Sequence, residues 1–408
     1  MSPAEMGPDG VTRLAIYIDA SFRTEGVGAH ARVYRGYGDF GFMIFACAVG
    51  AFFDRWAVIG RATPDAAETP NRLPAGIELL PLPYYSTLRD VGAVAKAIPL
   101  TARAMWRALD GIDAVWVSGA HPIGLLLICL ALLRRRRVIL LIRQDTPRYF
   151  SSRLPGRAWA PLLIPIRVVD WIFRMLARWL PTTVVGPEIA RAYGAPRENV
   201  LEMRVNLLSK DQLAAKPASA EWSERVRLLT VGRIESEKNP RLVIEALAQL
   251  EQSHPGRYSL TWVGTGHLET ELREHASRLG IEGCLHLPGF VPFGPKLLER
   301  YRSAEAFLHV SVTEGLPQVL YEAMGSGLPI IATDVGGVRE ALDDGRAGLI
   351  VPPRDLQAVV DAVLRLDSDP ELRRRLAGRA LRLSEGVTIE SQSERAASFI
   401  RGARGDSS

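Results

Sequence analysis

The chain has 408 residues, of which 47% are hydrophobic and 23% are charged, and its formal net charge is +5. This length exceeds one ordinary hydrophobic core and predicts two globular domains. The small basic excess fits anionic ligands or an anionic membrane surface. Nucleic acid is disfavoured as a partner, because the sequence has no zinc-ligand spacing, no aromatic RNA-binding motif and no long basic tail.

The N-terminus and the cysteines predict a protein of a reducing compartment. Three widely separated cysteines do not make a disulfide framework. Met1–Gly10 lacks the basic start and apolar core of a signal peptide, and the longest uncharged apolar run, Ile123–Leu133, is too short to span a bilayer. We therefore expect a cytoplasmic protein.

The first half of the chain alternates short apolar runs with helix-like segments. Strands are predicted at Leu14–Ala20, Trp56–Ile59, Ile77–Leu80, Ala114–Ser118 and Val138–Ile142. Because turn residues or charges bound each run, the pattern predicts a mostly parallel sheet with helices on both faces.

The same alternation of apolar runs and helix-like segments resumes after Ala214–Ser223. This stretch is rich in Ala, Lys, Pro and Ser, and we interpret it as a linker. The helices Pro240–Leu250 and His267–Leu279 are predicted between strands. The strands predicted in this half are Arg227–Val231, Ser259–Val263, Cys284–Leu287, Ala306–Val310, Pro329–Ala332 and Gly348–Val351.

These patterns predict an α/β protein with two Rossmann-like, doubly wound domains. We place the N-terminal domain at 1–213, the linker at 214–223 and the C-terminal domain at 224–385. Residues 386–408 are expected to form a helix that packs back on the N-terminal domain, followed by a disordered tail. Open parallel sheets bind ligands beyond the carboxyl ends of their strands, so two facing sheets would form a cleft between the domains.

The segment Thr313–Met324 follows a predicted strand and has the features of a ligand-binding helix start. Gly315 permits close approach of the backbone to a ligand, and Pro317 suits the first helical position. The free amides at such a helix start attract phosphate.

Two carboxylates accompany this helix, Glu314 in the preceding loop and Glu322 within the helix itself. Carboxylates accept hydrogen bonds from sugar hydroxyls, so both are candidates for holding a carbohydrate. The alternative is an ordinary capped helix with solvent-exposed glutamates.

A second strand-to-helix segment, Val231–Pro240, carries Arg233 and Lys238. Two cations at the carboxyl end of a strand could balance a diphosphate and stabilise it as it leaves. The alternative is a pair of solvated side chains. A third segment, Asp334–Glu340, contains a glycine pair that, taken alone, indicates tight packing.

These segments resemble glycosyltransferase family 4, the retaining, group 1 glycosyltransferases of the GT-B fold. The resemblance covers the C-terminal half well and the N-terminal half loosely. It rests on Val231–Lys238, Trp262–Gly266, Pro288–Val291 and the run from Glu314 to Glu340.

The resemblance implies a role for each candidate residue in donor binding. Arg233 and Lys238 would grip the donor diphosphate, Glu314 would hold the donor sugar near the reacting carbon, and Glu322 would bind the ribose hydroxyls. The family generally needs no metal, and no Asp-x-Asp motif with a family role is apparent. The remaining donor contacts would come from Gly289, Phe290 and Val291 beside the base, and from Gly315, Leu316 and Pro317 near the phosphates and sugar.

The N-terminal half carries weaker candidates. Gly26 and Gly28 follow the first predicted strand, where the family has a glycine-rich loop near the donor phosphate and the acceptor. His121 matches the position of a histidine that contacts the donor sugar in many relatives. Without the C-terminal match, the glycines and the histidine would be interpreted as structural.

One segment departs from the family pattern. Relatives often have a histidine-containing turn where this chain has Arg143-Gln144-Asp145. Asp145 could orient an acceptor hydroxyl or act as its base, or it could be a buried carboxylate paired with Arg143. The two alternatives have equal weight.

The segment Pro161–Leu180 combines tryptophans with charges that recur every three to four residues. A basic amphipathic helix of this kind could lie in a membrane interface. The alternative is a surface helix of the N-terminal domain, packed on its sheet.

We therefore expect retaining transfer of a hexosyl group from a UDP- or GDP-sugar to a saccharide or lipid-linked saccharide, in cell-envelope or exopolysaccharide assembly. No cofactor is expected, and the departing phosphate would help take the acceptor proton. The alternatives are a nucleotide-sugar epimerase, a phosphorylase with pyridoxal phosphate on a lysine, or a catalytically silent subunit that binds nucleotide sugar.

Overall fold

The computed structural model describes residues 12–25, 32–35, 40–62, 77–84, 91–151, 161, 163–194, 197–218 and 221–402. Contacts divide the chain into two compact units. The first unit contains the chain up to Val205 and again from Gln392, and the second unit is Asn206–Ser391. Each unit is built on its own parallel sheet.

The sheet of the first unit has the strand order β4-β3-β1-β5-β6-β7-β8, and all neighbours in this path are parallel. A further strand, β2, pairs antiparallel with β1. The strands are β1 (Arg13–Glu25), β2 (Arg32–Arg35), β3 (Arg55–Ala62), β4 (Glu78–Leu82), β5 (Ala114–Ser118), β6 (Arg137–Ile142), β7 (Thr182–Val185) and β8 (Val200–Met203).

Helices cover both faces of this sheet. Alternate side chains of each strand point to opposite faces, so apolar strands leave an apolar surface on each face that helices bury. Val115 and Val117 of β5 join one apolar core with helices α2, α3, α5 and α6, whereas the ring of Trp116 lies 6.0 Å from Phe42 of α1. The helices are α1 (Phe40–Gly50), α2 (Val91–Ala108), α3 (Pro122–Leu133), α4 (Thr146–Ser151), α5 (Leu163–Leu176) and α6 (Pro187–Ala192).

The sheet of the second unit is parallel throughout and has the order β11-β10-β9-β12-β13-β14. The strands are β9 (Val226–Val231), β10 (Tyr258–Val263), β11 (Leu285–Gly289), β12 (Ala306–His309), β13 (Ile330–Thr333) and β14 (Leu349–Val351). The strands predicted in this half all occur, with bounds shifted by one or two residues. The prediction of two Rossmann-like α/β sheets is confirmed.

The helices of the second unit follow its strands, and the last helix continues into the first unit. In that first unit the carbonyl of Arg401 accepts a hydrogen bond from Arg137 at 3.3 Å. The predicted tail lies outside the described residues from 403 onward. The helices are α7 (Pro240–Ser253), α8 (Glu269–Arg278), α9 (Pro295–Ser303), α10 (Gln318–Gly325), α11 (Val338–Ala341), α12 (Leu356–Ser368), α13 (Pro370–Glu385) and α14 (Ile389–Gly402).

The segment that we predicted as the linker, 214–223, is part of the second unit in the structure. The amides of Ala214 and Ala218 donate to the carbonyls of Gly325 and Gly327 at 2.8 and 2.9 Å. Its alanines and its proline therefore mark an irregular segment packed against α10, and the boundary between the units falls earlier, after Val205.

Candidate functional site

The loops that follow β9 and β10 pack backbone against backbone in the second unit. A Cβ atom on Gly264 would lie 2.0 Å from the carbonyl oxygen of Gly232, and one on Gly266 would lie 2.2 Å from that of Ile234. The amide of Ile234 donates to Thr265 at 3.0 Å. Only glycine fits at 264 and 266, so these residues set the path of the loop that carries Arg233.

Arg233 and Lys238 lie in this loop region but in different surroundings. The Arg233 side chain is 56% exposed and forms a 2.7 Å ion pair with Glu237. Lys238 ends a short 3₁₀ turn, Ser236–Lys238, and only 16% of its side chain is exposed. The amide of Val312 donates to the carbonyl of Glu237 at 2.8 Å, which ties the turn to the segment after β12.

Glu314 is the partner of Lys238, at 2.5 Å between Oε1 and Nζ. The same oxygen accepts from Ser311 Oγ at 2.7 Å and lies 3.3 Å from His309 Nε2. Burial alone would raise the pKa of Glu314, but the Lys238 ammonium and the His309 ring outweigh burial and hold that pKa far below its usual range. The carboxylate is therefore ionised at neutral pH.

The glycine pair 336–337 shapes the segment that carries Glu314. Gly336 has φ +54°, and a Cβ there would lie 2.3 Å from the carbonyl oxygen of Glu314. The amide of Gly337 donates to Gly315 at 2.8 Å. The tight packing that this pair indicates is thus packing against the candidate site.

Helix α10 begins at Gln318, and Pro317 is the residue that precedes its first turn. The prediction that Pro317 occupies the first helical position is therefore wrong by one residue, because Pro317 has the extended ψ of a cap residue, 116°. The segment from Gly315 to Pro317 remains the link between Glu314 and the helix.

Glu322 lies inside α10 and is 2% exposed, so the alternative of a solvent-exposed glutamate is wrong for this residue. Its two oxygens accept from Tyr301 Oη and from Gln318 Nε2, each at 2.9 Å. Burial raises the pKa of Glu322, although both hydrogen bonds favour the ionised form.

Gly289 is the last residue of β11, and Phe290 and Val291 follow it directly. Gly289 has φ +81°, and its carbonyl accepts from the amide of Gly264 at 2.9 Å. The Phe290 ring is exposed. This segment therefore presents an apolar ring at the same edge of the sheet as the loops after β9 and β10.

In the first unit, His121 is the N-cap of α3 and lies after β5. Its Nδ1 accepts from the amide of Ile123 at 3.3 Å, and its Nε2 lies 3.1 Å from Asp19. Asp19 also forms a 3.1 Å ion pair with Arg61. Since Nδ1 accepts from a backbone amide, the neutral ring carries its proton on Nε2 and donates it to Asp19.

The other candidate residues of the first unit are Gly26, Gly28 and Asp145. Gly26 and Gly28 lie outside the described residues. Asp145 is half-buried, and its Oδ1 accepts from the amide of Arg148 at 2.9 Å at the start of α4. The Arg143 guanidinium lies 4.4 Å from the ring centroid of Phe42. Asp145 thus has a capping contact of its own, and its two alternatives, an acceptor role and a structural carboxylate paired with Arg143, both stay predictions.

The sequence of the second unit matches a known protein family. Residues 211–382, which lie within the range of the second unit, match the family described as glycosyl transferases group 1. They form a group 1 glycosyl transferase domain. The resemblance seen in the motifs is confirmed at this level, and the narrower assignment to family 4 stays a prediction.

Two curated relatives are named as transferases. The amylovoran biosynthesis glycosyltransferase AmsK of Erwinia amylovora is 29% identical over 57% of this chain and 52% of its own length. The alpha-D-kanosaminyltransferase of Streptomyces kanamyceticus is 33% identical over 60% of this chain and 65% of its own length. The chain thus spans about half to two thirds of the length of these relatives.

Solved structures share the fold over most of the chain. WaaG, a glycosyltransferase involved in lipopolysaccharide biosynthesis, superposes with a TM-score of 0.69 over 95% of this chain and 100% of its own, at 18% identity. HepE of Anabaena, in complex with UDP and glucose, gives 0.68 over 95% and 99%, at 15% identity. The GT-B fold predicted from the motifs is confirmed.

Within the group 1 domain, the structure brings together Lys238 and Glu314, and it adds residues that sequence reasoning missed. His309 and Ser311 contact Glu314, and Tyr301 and Gln318 contact Glu322. The spacing of His309 and Ser311, two residues apart at a strand end, was a usable signal because such residues point to the same side. Asp19, which pairs with His121 in the other unit, was also missed.

Proposed function

We propose that the protein is a retaining glycosyltransferase of family 4 that moves a hexosyl group from a nucleotide-diphosphate sugar to a saccharide or lipid-linked saccharide. The observation that carries the proposal is the Lys238–Glu314 pair, held at the carboxyl edge of the sheet in a group 1 domain. Ligands of open parallel sheets bind at that edge.

The donor diphosphate is assigned to the two cations of the loop after β9. Arg233 is exposed and weakly held by Glu237, so its guanidinium is available for a bidentate contact with phosphate oxygens. Lys238 is better buried and supplies a fixed positive charge. As the glycosidic bond breaks, negative charge grows on the diphosphate, and these preorganised cations stabilise it.

The donor sugar and nucleoside are assigned to the carboxylates and the neighbouring backbone. Glu314 stays ionised and can accept from sugar hydroxyls. Glu322 is assigned to the ribose hydroxyls, which requires one of its present donors, Tyr301 or Gln318, to share or yield. The exposed ring of Phe290 and the adjoining backbone of Gly289 and Val291 would border the base.

The acceptor side is assigned to the first unit. The Nε2–H group of His121 faces Asp19, and it can donate to a sugar hydroxyl instead of to that carboxylate. Asp145, near the end of β6, would orient the acceptor hydroxyl. No group of three or more His, Cys, Asp and Glu in the described ranges could hold a metal ion, and we propose a reaction without metal or cofactor.

Relatives support the choice of substrates. A structural neighbour was solved with UDP and glucose, which favours a UDP-sugar, with GDP-sugars as the second choice. Relatives named for amylovoran biosynthesis and for lipopolysaccharide biosynthesis favour a cell-envelope or exopolysaccharide acceptor.

The predicted membrane contact through 161–180 also belongs to this proposal. No helix in the described ranges is long and apolar enough to cross a bilayer. In α5 the charge Asp170 is buried and accepts from Tyr193 at 2.9 Å, while Ile164, Val168 and Trp171 are 58%, 49% and 60% exposed. The helix therefore turns an apolar stripe to solvent, as interfacial helices do.

Charge supports the same contact. Trp179, just after α5, is 86% exposed, and the exposed Arg167 and Arg178 flank the apolar stripe. Arginines beside exposed apolar side chains suit an anionic lipid surface. We propose that the protein works as a peripheral protein on the cytoplasmic face of a membrane.

The test of the activity is thermal stabilisation of the purified protein by UDP, GDP, ADP, TDP and CMP in the presence of EDTA. A ligand at a hundred times its Kd adds about 2.7 kcal/mol to the free energy of unfolding. We expect one nucleoside diphosphate to raise Tm, and Arg233→Ala and Glu322→Ala to abolish that rise. If no nucleotide acts, with candidate acceptors and liposomes also present, the protein is not a nucleotide-sugar enzyme.

A further inference from the structure

We propose that His309 is a positioning residue that, with Ser311 and Lys238, anchors one oxygen of Glu314 and leaves the other oxygen to receive a sugar hydroxyl. The anchoring rests on contacts within the second unit alone. The identity of what the second oxygen receives rests on the proposed function.

The contacts of Glu314 are unequally shared between its two oxygens. Oε1 lies 2.5 Å from Lys238 Nζ, 2.7 Å from Ser311 Oγ and 3.3 Å from His309 Nε2. Across the described part of the chain, no hydrogen bond or ion pair reaches Oε2. Three polar contacts on one oxygen hold the carboxylate, while the lone pairs of the other oxygen accept from no donor in the described residues.

Hydrogen-bond accounting assigns the proton on the His309 ring. The single hydroxyl proton of Ser311 is donated to Glu314, so its oxygen can only accept from His309 Nε2, 3.4 Å away. The Glu314 carboxylate can also only accept. Both neighbours of Nε2 are acceptors, and Nε2 must therefore carry a hydrogen.

The surroundings of His309 favour the neutral form of this ring. The residue is 2% exposed, and its ring stacks on Phe307 with 15° between the planes. Burial lowers the pKa of His309, and the Lys238 ammonium lowers it further, whereas Glu314 acts in the opposite direction. A neutral ring with its hydrogen on Nε2 is a donor that does not change with pH in the physiological range.

This arrangement explains why a histidine stands at the end of an otherwise apolar strand. The β12 sequence is Ala306, Phe307, Leu308 and His309, all buried. An apolar residue at 309 would pack as well, but it would donate nothing to Glu314. Loss of one donor would leave the carboxylate free to rotate and to share Oε2 with Lys238, so the oxygen meant for the sugar would be partly occupied.

The first experiment measures directly which nitrogen of the His309 ring carries a proton, and it needs no substrate. We would record ¹⁵N spectra of histidine-labelled full-length protein between pH 5.5 and 8 and assign His309 by its absence in His309→Leu. We expect a neutral ring with a protonated Nε2 throughout. A proton on Nδ1, or a cationic ring at pH 7, overturns the proposal whether or not the protein binds nucleotides.

The second experiment separates positioning from packing. Calorimetry would compare UDP with UDP-glucose, and GDP with GDP-mannose, on the wild type, His309→Leu, His309→Gln and Ser311→Ala. We expect His309→Leu and Ser311→Ala to weaken the sugar nucleotide about tenfold while the bare diphosphate binds as before, since each variant loses one charge-assisted hydrogen bond. His309→Gln, which keeps a donor, should recover most of the loss.

The outcomes distinguish this proposal from the proposed function. If neither diphosphate nor sugar nucleotide binds to the wild type, the proposed function fails, while the ¹⁵N result still decides the anchoring. If both ligands bind and His309→Leu weakens them equally or not at all, His309 does not position Glu314 and the proposal is overturned.

Discussion

The ammonium of Lys238 lies 2.5 Å from Oε1 of Glu314, and less than a fifth of either side chain is exposed. Removing one partner of a buried pair leaves an uncompensated charge, which costs roughly 3–5 kcal/mol when burial is complete. Because these side chains keep some exposure, we expect Lys238→Met to lower the free energy of unfolding by about 2 kcal/mol. Urea unfolding measures this change, and Lys238→Met/Glu314→Gln should be more stable than the single variant.

The same pair predicts a pH dependence. The pKa of folded Glu314 is depressed, so its contribution to stability is complete above the unfolded value of about 4.3 and is lost as pH falls below it. We expect the stability of the wild type to fall more steeply between pH 5 and 3 than that of Lys238→Met/Glu314→Gln. Parallel slopes in this range would show that the pair does not hold Glu314 ionised.

Arg233 should matter for binding and not for stability. Its ion pair with Glu237 is exposed, and exposed pairs contribute about 0–1 kcal/mol. We expect Arg233→Ala to change the free energy of unfolding by less than about 0.5 kcal/mol and to weaken the bound nucleoside diphosphate at least tenfold. The matched control is Arg273→Ala, which removes an equally exposed i,i+4 pair with Glu269 on α8 and should leave nucleotide affinity unchanged.

The stability that depends on Glu322 should change with pH in the direction opposite to that for Glu314. The pKa of Glu322 is raised by burial, so the folded state loses stability as pH rises from about 4.3 through the folded pKa. Glu322→Gln removes this titration, and its amide can still pair with Tyr301 and Gln318 after the hydroxyl and amide reorient. We expect a higher Tm than the wild type at pH 8, no gain at pH 4, and weaker nucleotide binding. A lower Tm at both pH values would contradict this account.

The apolar stripe of α5 should control membrane association. We expect full-length protein to float with phosphatidylglycerol vesicles at low salt and to be released as salt screens Arg167 and Arg178. Val168→Ser/Trp171→Ser should abolish flotation without lowering Tm, because both side chains are exposed. Tyr84→Ser, an exposed aromatic residue elsewhere on the unit, is the control. Wild-type protein that stays unbound at low salt would rule out the contact.

The sequence predicted strands well where a buried strand is a continuous apolar run. β5 and β10 are of this kind, and their bounds were met within one residue. β7 was missed because it has only four residues and two of them are threonines. The threonine hydroxyls find hydrogen-bond partners only in the folded protein. Thr183 Oγ1 donates to Leu140 at 3.0 Å and accepts from Trp116 at 2.8 Å, contacts that no local pattern displays.

The candidate site was predictable in its residue types but not in its internal pairings. Glu314 and Lys238 were singled out separately, yet they lie 76 residues apart and meet only because β9 and β12 are neighbours in the sheet. Glu322 could not be distinguished from an exposed glutamate, because its donor Tyr301 comes from α9. His309 is the last residue of an apolar strand, and its two-residue spacing from Ser311 is the one local signal of its role.

The glycines at 264 and 266 let the loop after β10 pack directly against the backbone of the loop after β9. A Cβ atom at either position would meet the backbone carbonyl of Gly232 or Ile234, so any side chain there would displace the peptide that carries Arg233. Residues without a side chain can therefore govern the affinity for a ligand. A screen for lost nucleotide binding should recover substitutions at 264 and 266 among its strongest hits, and inspection of the ligand contacts alone would leave those hits unexplained.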